Sequence, residues 1–152
     1  MLIYIDNCVL NRPFDDQSQE RIYFETQAFL ILLKQIDSGK INFLNSFAIE
    51  YEISAISETE RESKIREYLK AAFDYVDYNK KIENRANELK KFGFSAMDSV
   101  HIAVAEFAEV DYFVTCDDDI IKLSAKFKKR IKIKVTSVSK LVTEIINYAQ
   151  NN

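Results

Sequence analysis

Acidic residues stand at four separated places in this sequence: Asp6, the pair Glu50 and Glu52, Asp98, and the run Asp117-Asp118-Asp119. Like charges gathered in one cleft raise each other's pKa and oppose folding unless something neutralises them, and a divalent cation does so. Carboxylate oxygens with no His or Cys cluster suit Mg2+ or Mn2+ better than Zn2+. Two such ions about 3.5–4 Å apart can activate a water and stabilise the leaving oxygen of a phosphodiester. Phosphodiester hydrolysis is therefore the chemistry these residue types could perform together.

Each acid also has a purely structural reading. Ser95-Ala96-Met97-Asp98 has the form of a capping box, and Asp117 can serve as an N-cap. Asp6 follows the apolar run Met1-Leu2-Ile3-Tyr4-Ile5, with no helix dipole that clearly claims it. Glu50 and Glu52 compete for one role. At ~100° per residue, Glu52 lies roughly 67° and Glu50 roughly 93° from the face defined by Ile49, Ile53 and Ile56, so Glu52 is nearer the buried side. His101, the sole histidine, stands one turn beyond Asp98. It could act as a general base, but packing within its own helix is the reading favoured for it.

The elements that must position these acids alternate. Leu2–Ile5 reads as a buried strand, and from Ser18 onward Ile22, Phe29, Leu32, Leu33 and Ile36 recur at helical spacing until Ser38-Gly39. Ile41–Leu44 is a second strand, with Ser46 as N-cap of the helix behind it. Residues 60–92 read as charged helix interrupted near Tyr75–Tyr78, and a helix follows Ser95. Tyr112–Val114 is a third strand, Asp117–Asp119 open a further helix, Ile131–Val135 is a fourth strand, and Leu141, Ile145 and Tyr148 mark a last helix. Strands alternating with helices predict an α/β fold with a mostly parallel sheet covered on both faces, and in such sheets ligands bind beyond the carboxyl ends of the strands.

Composition agrees. A length of 152 residues with 47% hydrophobic side chains suits one domain spanning 1–152, and two Gly with one Pro disfavour a turn-dense all-β fold. No apolar run approaches the ~18–20 residues that span a bilayer and no secretory signal opens the chain, so the expectation is a soluble cytoplasmic protein with no membrane partner. Cys8 and Cys116 show no metal-binding spacing and read as small buried thiols; their positions beside Asp6 and Asp117 put both near the acids.

The net charge of −3 at first argues against a nucleic-acid partner. Seven basic residues, however, fall between 122 and 134 with no acid among them: Lys122, Lys126, Lys128, Lys129, Arg130, Lys132 and Lys134. Without those seven, 14 basic residues face 24 acidic ones, a balance of −10. The block reads either as a solvated helix end with an edge strand whose alternating Lys discourages pairing, or as a phosphate-backbone track. Arg12 is a further candidate contact.

In this order, the motifs resemble the PIN-domain family of metal-dependent ribonucleases, best known from VapC-type toxins. Ile5-Asp6-Asn7 resembles the family's opening aspartate. Ser46, followed six residues later by Glu52-Ile53, resembles its S-x5-E-[LI] segment and favours Glu52 over Glu50. Phe94–Ala103 is similar to its D-A-x-[HI]-[LI]-A helix start, and Val114–Asp119 to its T-x-D-x-D-[FL] segment. The resemblance implies a three-layer α/β/α fold with a central four- to five-stranded sheet. It also implies Asp6, Glu52, Asp98 and Asp117 as catalytic metal ligands for one or two Mg2+ or Mn2+ ions. Asn7, Thr115 and Asp119 would support them, and RNA would be cut to leave a 5′ phosphate and a 3′ hydroxyl. A small antitoxin and a homodimer are implied as partners.

Three other readings compete. An aspartate-nucleophile phosphatase needs a second acid two positions after the first, where Cys8 stands. A receiver domain needs paired acids after the first strand, where only Asp6 occurs. The third is a non-catalytic RNA- or partner-binding module of the same fold, which metal binding distinguishes.

Overall fold

A computed structural model describes all residues, Met1–Asn152. Five parallel strands form its sheet in the order β3-β2-β1-β4-β5: β1 (Leu2–Ile5), β2 (Asn42–Ser46), β3 (Asp74–Val76), β4 (Tyr112–Thr115) and β5 (Lys134–Ser137). The helices are α1 (Asn7–Asn11), α2 (Glu20–Asp37), α3 (Phe47–Ser54), α4 (Thr59–Leu69), α5 (Lys80–Lys90), α6 (Ala96–Phe107), α7 (Asp118–Lys126) and α8 (Val138–Asn151). This is the α/β architecture expected, with every strand pair parallel.

β1 lies at the centre, in register with β2 through Ile3 opposite Phe43 and with β4 through Tyr4 opposite Phe113. Ile3, Tyr4 and Ile5 are all buried because helices cover both faces, which is why the strand reads as a continuous apolar run. The Tyr4 and Phe113 rings stack with centroids 5.6 Å apart. One continuous hydrophobic core joins the sheet to the helices on either side.

Three elements depart from the expected pattern. The interruption near Tyr75–Tyr78 is the edge strand β3, too short at three residues to show a period. The last strand is Lys134–Ser137, whereas the alternating run suggests Ile131–Val135; Ile131 is buried in the core from the loop ahead of the strand. Finally, α1 begins directly after Asp6. Asp6 caps it by accepting a hydrogen bond from the Asn7 N–H at 2.8 Å, so this acid does have a helix to serve.

Because the sheet is parallel, the ends of β1, β2 and β4 open on one rim. Asp6, Ser46 and Asp117 occupy those three exits, each as an N-cap.

Candidate metal centre

Asp6 is 6% exposed at the carboxyl end of the central strand. Its Oδ1 is occupied by the Asn7 amide. Its Oδ2 accepts a hydrogen bond from the Thr115 hydroxyl at 2.8 Å and a weaker one from the Cys8 thiol at 3.4 Å. Thr115 is fully buried at the end of β4, and its Oγ1 also accepts the Asp117 N–H at 3.0 Å, tying the two acidic strand exits together. The Cys116 N–H donates to Cys8 Sγ at 3.2 Å. A hydrogen bond with Cys8, then burial, raises the Cys116 thiol pKa.

Glu52 arrives from α3, whose first turn is fixed by Ser46 Oγ accepting the Ile49 N–H at 3.2 Å. One Glu52 oxygen meets the Asn7 side-chain amide at 3.4 Å, and Asn7 is itself held by Asn11 Nδ2 at 3.0 Å. The other Glu52 oxygen is bonded to His101 Nε2. His101 is 1% exposed, and its Nδ1 lies 2.7 Å from the Tyr4 hydroxyl, which lies 2.8 Å from Ser46 Oγ. A donor-to-acceptor direction from Ser46 through Tyr4 and His101 to Glu52 is consistent with these contacts and gives each of the four side chains a partner. Burial lifts the Tyr4 hydroxyl pKa far above its usual range; the Ser46 hydrogen bond opposes this, and the Asp6 and Glu52 charges add to it.

Ligand atoms of Asp6, Glu52 and His101 all lie within 4.8 Å of one another. The structure thus brings two of the four expected acids together, with an imidazole that the sequence reading assigned to packing. Asp98 and Asp117 stand at the starts of α6 and α7, outside that tight group. Asp98 is half-buried, and burial raises its pKa; the Ser95 hydroxyl opposes this, while the charges of Asp6 and Asp117 reinforce it. Asp117 Oδ1 caps α7 through the Asp119 N–H at 2.8 Å, and Asp119 itself is exposed.

Glu50 takes no part in this group. It pairs with Arg66 at 2.7 Å and accepts from Asn45 at 2.8 Å, and despite burial these bonds hold its pKa below the ordinary value. Arg12, expected as a nucleic-acid contact, is held between Asp15 at 3.0 Å and the buried Glu25 at 3.2 Å. Lys122 and Lys126 lie exposed on α7, and Lys128, Lys129 and Arg130 follow in the exposed loop. Arg130 sits over the Phe92 ring at 4.8 Å.

The sequence reading missed the Tyr4–Ser46 support. The available signal was Tyr4 itself, a hydroxyl inside an otherwise aliphatic buried strand that must find a polar partner.

The family model described as PIN domain matches residues 3–126, most of the chain and every residue of this site. The chain belongs to the PIN-domain family. PIN domains are generally nucleases. Among solved structures, this PIN domain is similar to the VapBC2 complex of Rickettsia felis bound to a DNA fragment from their promoter, with 16% identity and a TM-score of 0.56 over 90% of this chain and 98% of that one. It is likewise similar to PAE2754 of Pyrobaculum aerophilum, with 16% identity and a TM-score of 0.56 over 97% of this chain and 99% of that one. At that identity the likeness is one of fold. Among curated proteins, none matches the sequence significantly.

Proposed function

We propose that this PIN domain, acting as a single domain over 1–152, is a Mg2+- or Mn2+-dependent endoribonuclease of the toxin type. The observation that carries the reading is the convergence of Asp6, Glu52 and His101 ligand atoms within 4.8 Å at the carboxyl rim of a parallel sheet. The donor set fits a divalent cation: two carboxylates meet with no Lys or Arg bonded to either, and half-buried Asp98 is pushed toward its protonated form beside them.

Asp6 and Glu52 would hold the ion, with Asp98 and Asp117 reaching it directly or through water. Bound there, the ion would supply Lewis-acid activation of water and charge neutralisation at phosphorus. The chain's own groups do the rest. Thr115 and Asn7 orient Asp6 and Glu52, and the His101–Tyr4–Ser46 chain fixes Glu52 from behind. Lys122 and Lys126, on the helix that Asp117 caps, would meet the RNA backbone, with Lys128, Lys129 and Arg130 continuing the track.

A small antitoxin partner is supported by the likeness to a VapBC2 complex. A homodimer is proposed from the family resemblance alone. A cytoplasmic location accords with the finding that no helix is long and apolar enough to cross a membrane.

The test is cleavage of a labelled RNA by purified protein with Mg2+, Mn2+ or a chelator, beside Glu52→Gln and Asp6→Asn. Metal-dependent cleavage that both variants lose is the expected result. RNA binding without cleavage by the metal-loaded wild type would identify a non-catalytic binding module instead.

A further inference from the structure

β5 ends the sheet with only β4 beside it, so one side of Lys134–Ser137 has no strand partner. Against that open side lies a cavity of about 610 Å³ between α7 and α8, a size typical of ligand sites. Apolar side chains line it: Ile121 and Ala125 from α7, Ile131 from the loop, and Val135 from the strand. Ser124 also lines it. That serine is 6% exposed, and its hydroxyl has no hydrogen-bond partner in the folded chain, a condition buried polar groups rarely tolerate unless something else satisfies them.

Charge around the cavity is one-sided. Lys128, Lys132, Lys134 and Lys140 line it against a single acid, Glu144. Lysines on an edge strand normally discourage chance pairing, but they do so by repelling cations and by desolvation. An incoming strand that carries acids meets the opposite situation. Free edge backbone, an apolar floor and a cationic border together match an extended polypeptide with apolar and acidic side chains in alternation. Nucleic acid would use the cations but neither the edge backbone nor the floor.

We propose that the β5 edge, with its Ser124 cavity and lysine border, is a docking site for an acidic extended segment of a partner polypeptide, added as a sixth strand. Main-chain hydrogen bonds would supply affinity, and alternate side chains entering the cavity would supply specificity. Residues 128–144, which contribute the lysines and the strand, lie beyond the stretch 3–126 that the PIN-domain model matches. The cavity reaches Tyr112, at the amino end of β4, whereas the acids gather at its carboxyl end. The strand edge, the cavity floor and Lys132, Lys134 and Lys140 are therefore separate from the metal site of the nuclease reading, and Lys128 alone is shared with its RNA track.

The test uses the full chain and a fluorescein-labelled ten-residue peptide of alternating Glu and Val. Its Lys/Val counterpart and a labelled ten-nucleotide oligouridylate serve as comparisons. Expected are saturable binding of the acidic peptide by fluorescence anisotropy, about tenfold weaker binding in Lys132→Glu/Lys134→Glu and separately in Lys140→Glu, and slowed amide hydrogen exchange over 133–137 on peptide addition. All three lysines are exposed, and thermal unfolding checks that the variants remain folded. Equal binding of the Lys/Val peptide, binding unchanged by charge reversal, or binding without protection of 133–137 would overturn the proposal. So would oligouridylate that displaces the peptide and responds equally to the substitutions, which would assign the groove to nucleic acid.

Discussion

His101 Nε2 bonds to a Glu52 carboxylate oxygen while its Nδ1 faces the Tyr4 hydroxyl at 2.7 Å, so a residue of α3 is oriented from β1 through a side chain of α6. This arrangement makes Tyr4 a positioning residue for the proposed metal centre although it reaches no ligand atom of Asp6. Tyr4→Phe keeps the stacked ring and removes only the hydroxyl. Mn2+ affinity, measured by calorimetric titration, is expected to fall about tenfold, the lower end of what supporting hydrogen bonds contribute, with cleavage restored at saturating metal. A ring that served packing alone would leave the affinity unchanged.

Asp98 supplies a test through pH. Burial first, then the charges of Asp6 and Asp117, raise its folded pKa above the unfolded value. The folded state therefore binds this proton more tightly than the unfolded one, and stability from it is present at low pH and lost as pH rises through the folded pKa. In metal-free protein at pH 7, Asp98→Asn is expected to raise Tm by about 1–2 °C, since partial exposure screens the effect, and the gain should vanish below the usual Asp range. Added Mn2+ should reverse the order, with wild type gaining more than the variant. Thermal unfolding at several pH values, with and without metal, reads both signs.

The strongest signals in the sequence came from repetition and from position. Long helices such as α2 and α6 carry several apolar turns, and the acids at the exits of β1 and β4 follow recognisable strands. β3 and α1 were not legible because three and five residues span less than two full periods of a strand or helix, too few for a repeat to show. Nothing local in sequence distinguishes His101 packed within α6 from His101 turned onto Glu52, 49 positions away. The ion pairs of Arg12 were hidden for a related reason. Its partner Glu25 lies on the next helix, 13 positions on, so the pairing forms only once the chain folds.

Arg85 links three segments of the far end of α6. Its guanidinium holds Glu106, whose side chain is 3% exposed, and donates to the Arg130 carbonyl at 2.6 Å. Removing it strands a buried carboxylate, which costs about 3–5 kcal/mol when a buried pair is broken from one side. Arg85→Ala should show that loss in chemical denaturation, and Arg85→Met/Glu106→Leu should recover most of it, because a well-packed apolar pair also avoids the stranded charge. If the single variant unfolds like wild type, Glu106 has water as its partner and the pair contributes little.

The basic face of α7 makes a prediction about salt. α7 starts at the Asp117 cap and runs nine residues, about 13 Å at 1.5 Å per residue, placing Lys122 and Lys126 at increasing distance from the acids. If both touch phosphates of a single strand, each releases bound counterions on RNA binding and contributes about 0.7 to the slope of log K against log salt. Lys122→Ala and Lys126→Ala should each lower that slope by about this amount and weaken binding similarly for unrelated sequences, because backbone contacts carry no base information. RNA affinity measured across a salt series in the Glu52→Gln background, expected to be cleavage-inactive, isolates binding from turnover. An unchanged slope in both variants would take α7 out of the RNA path and leave the lysines as a solvated helix face.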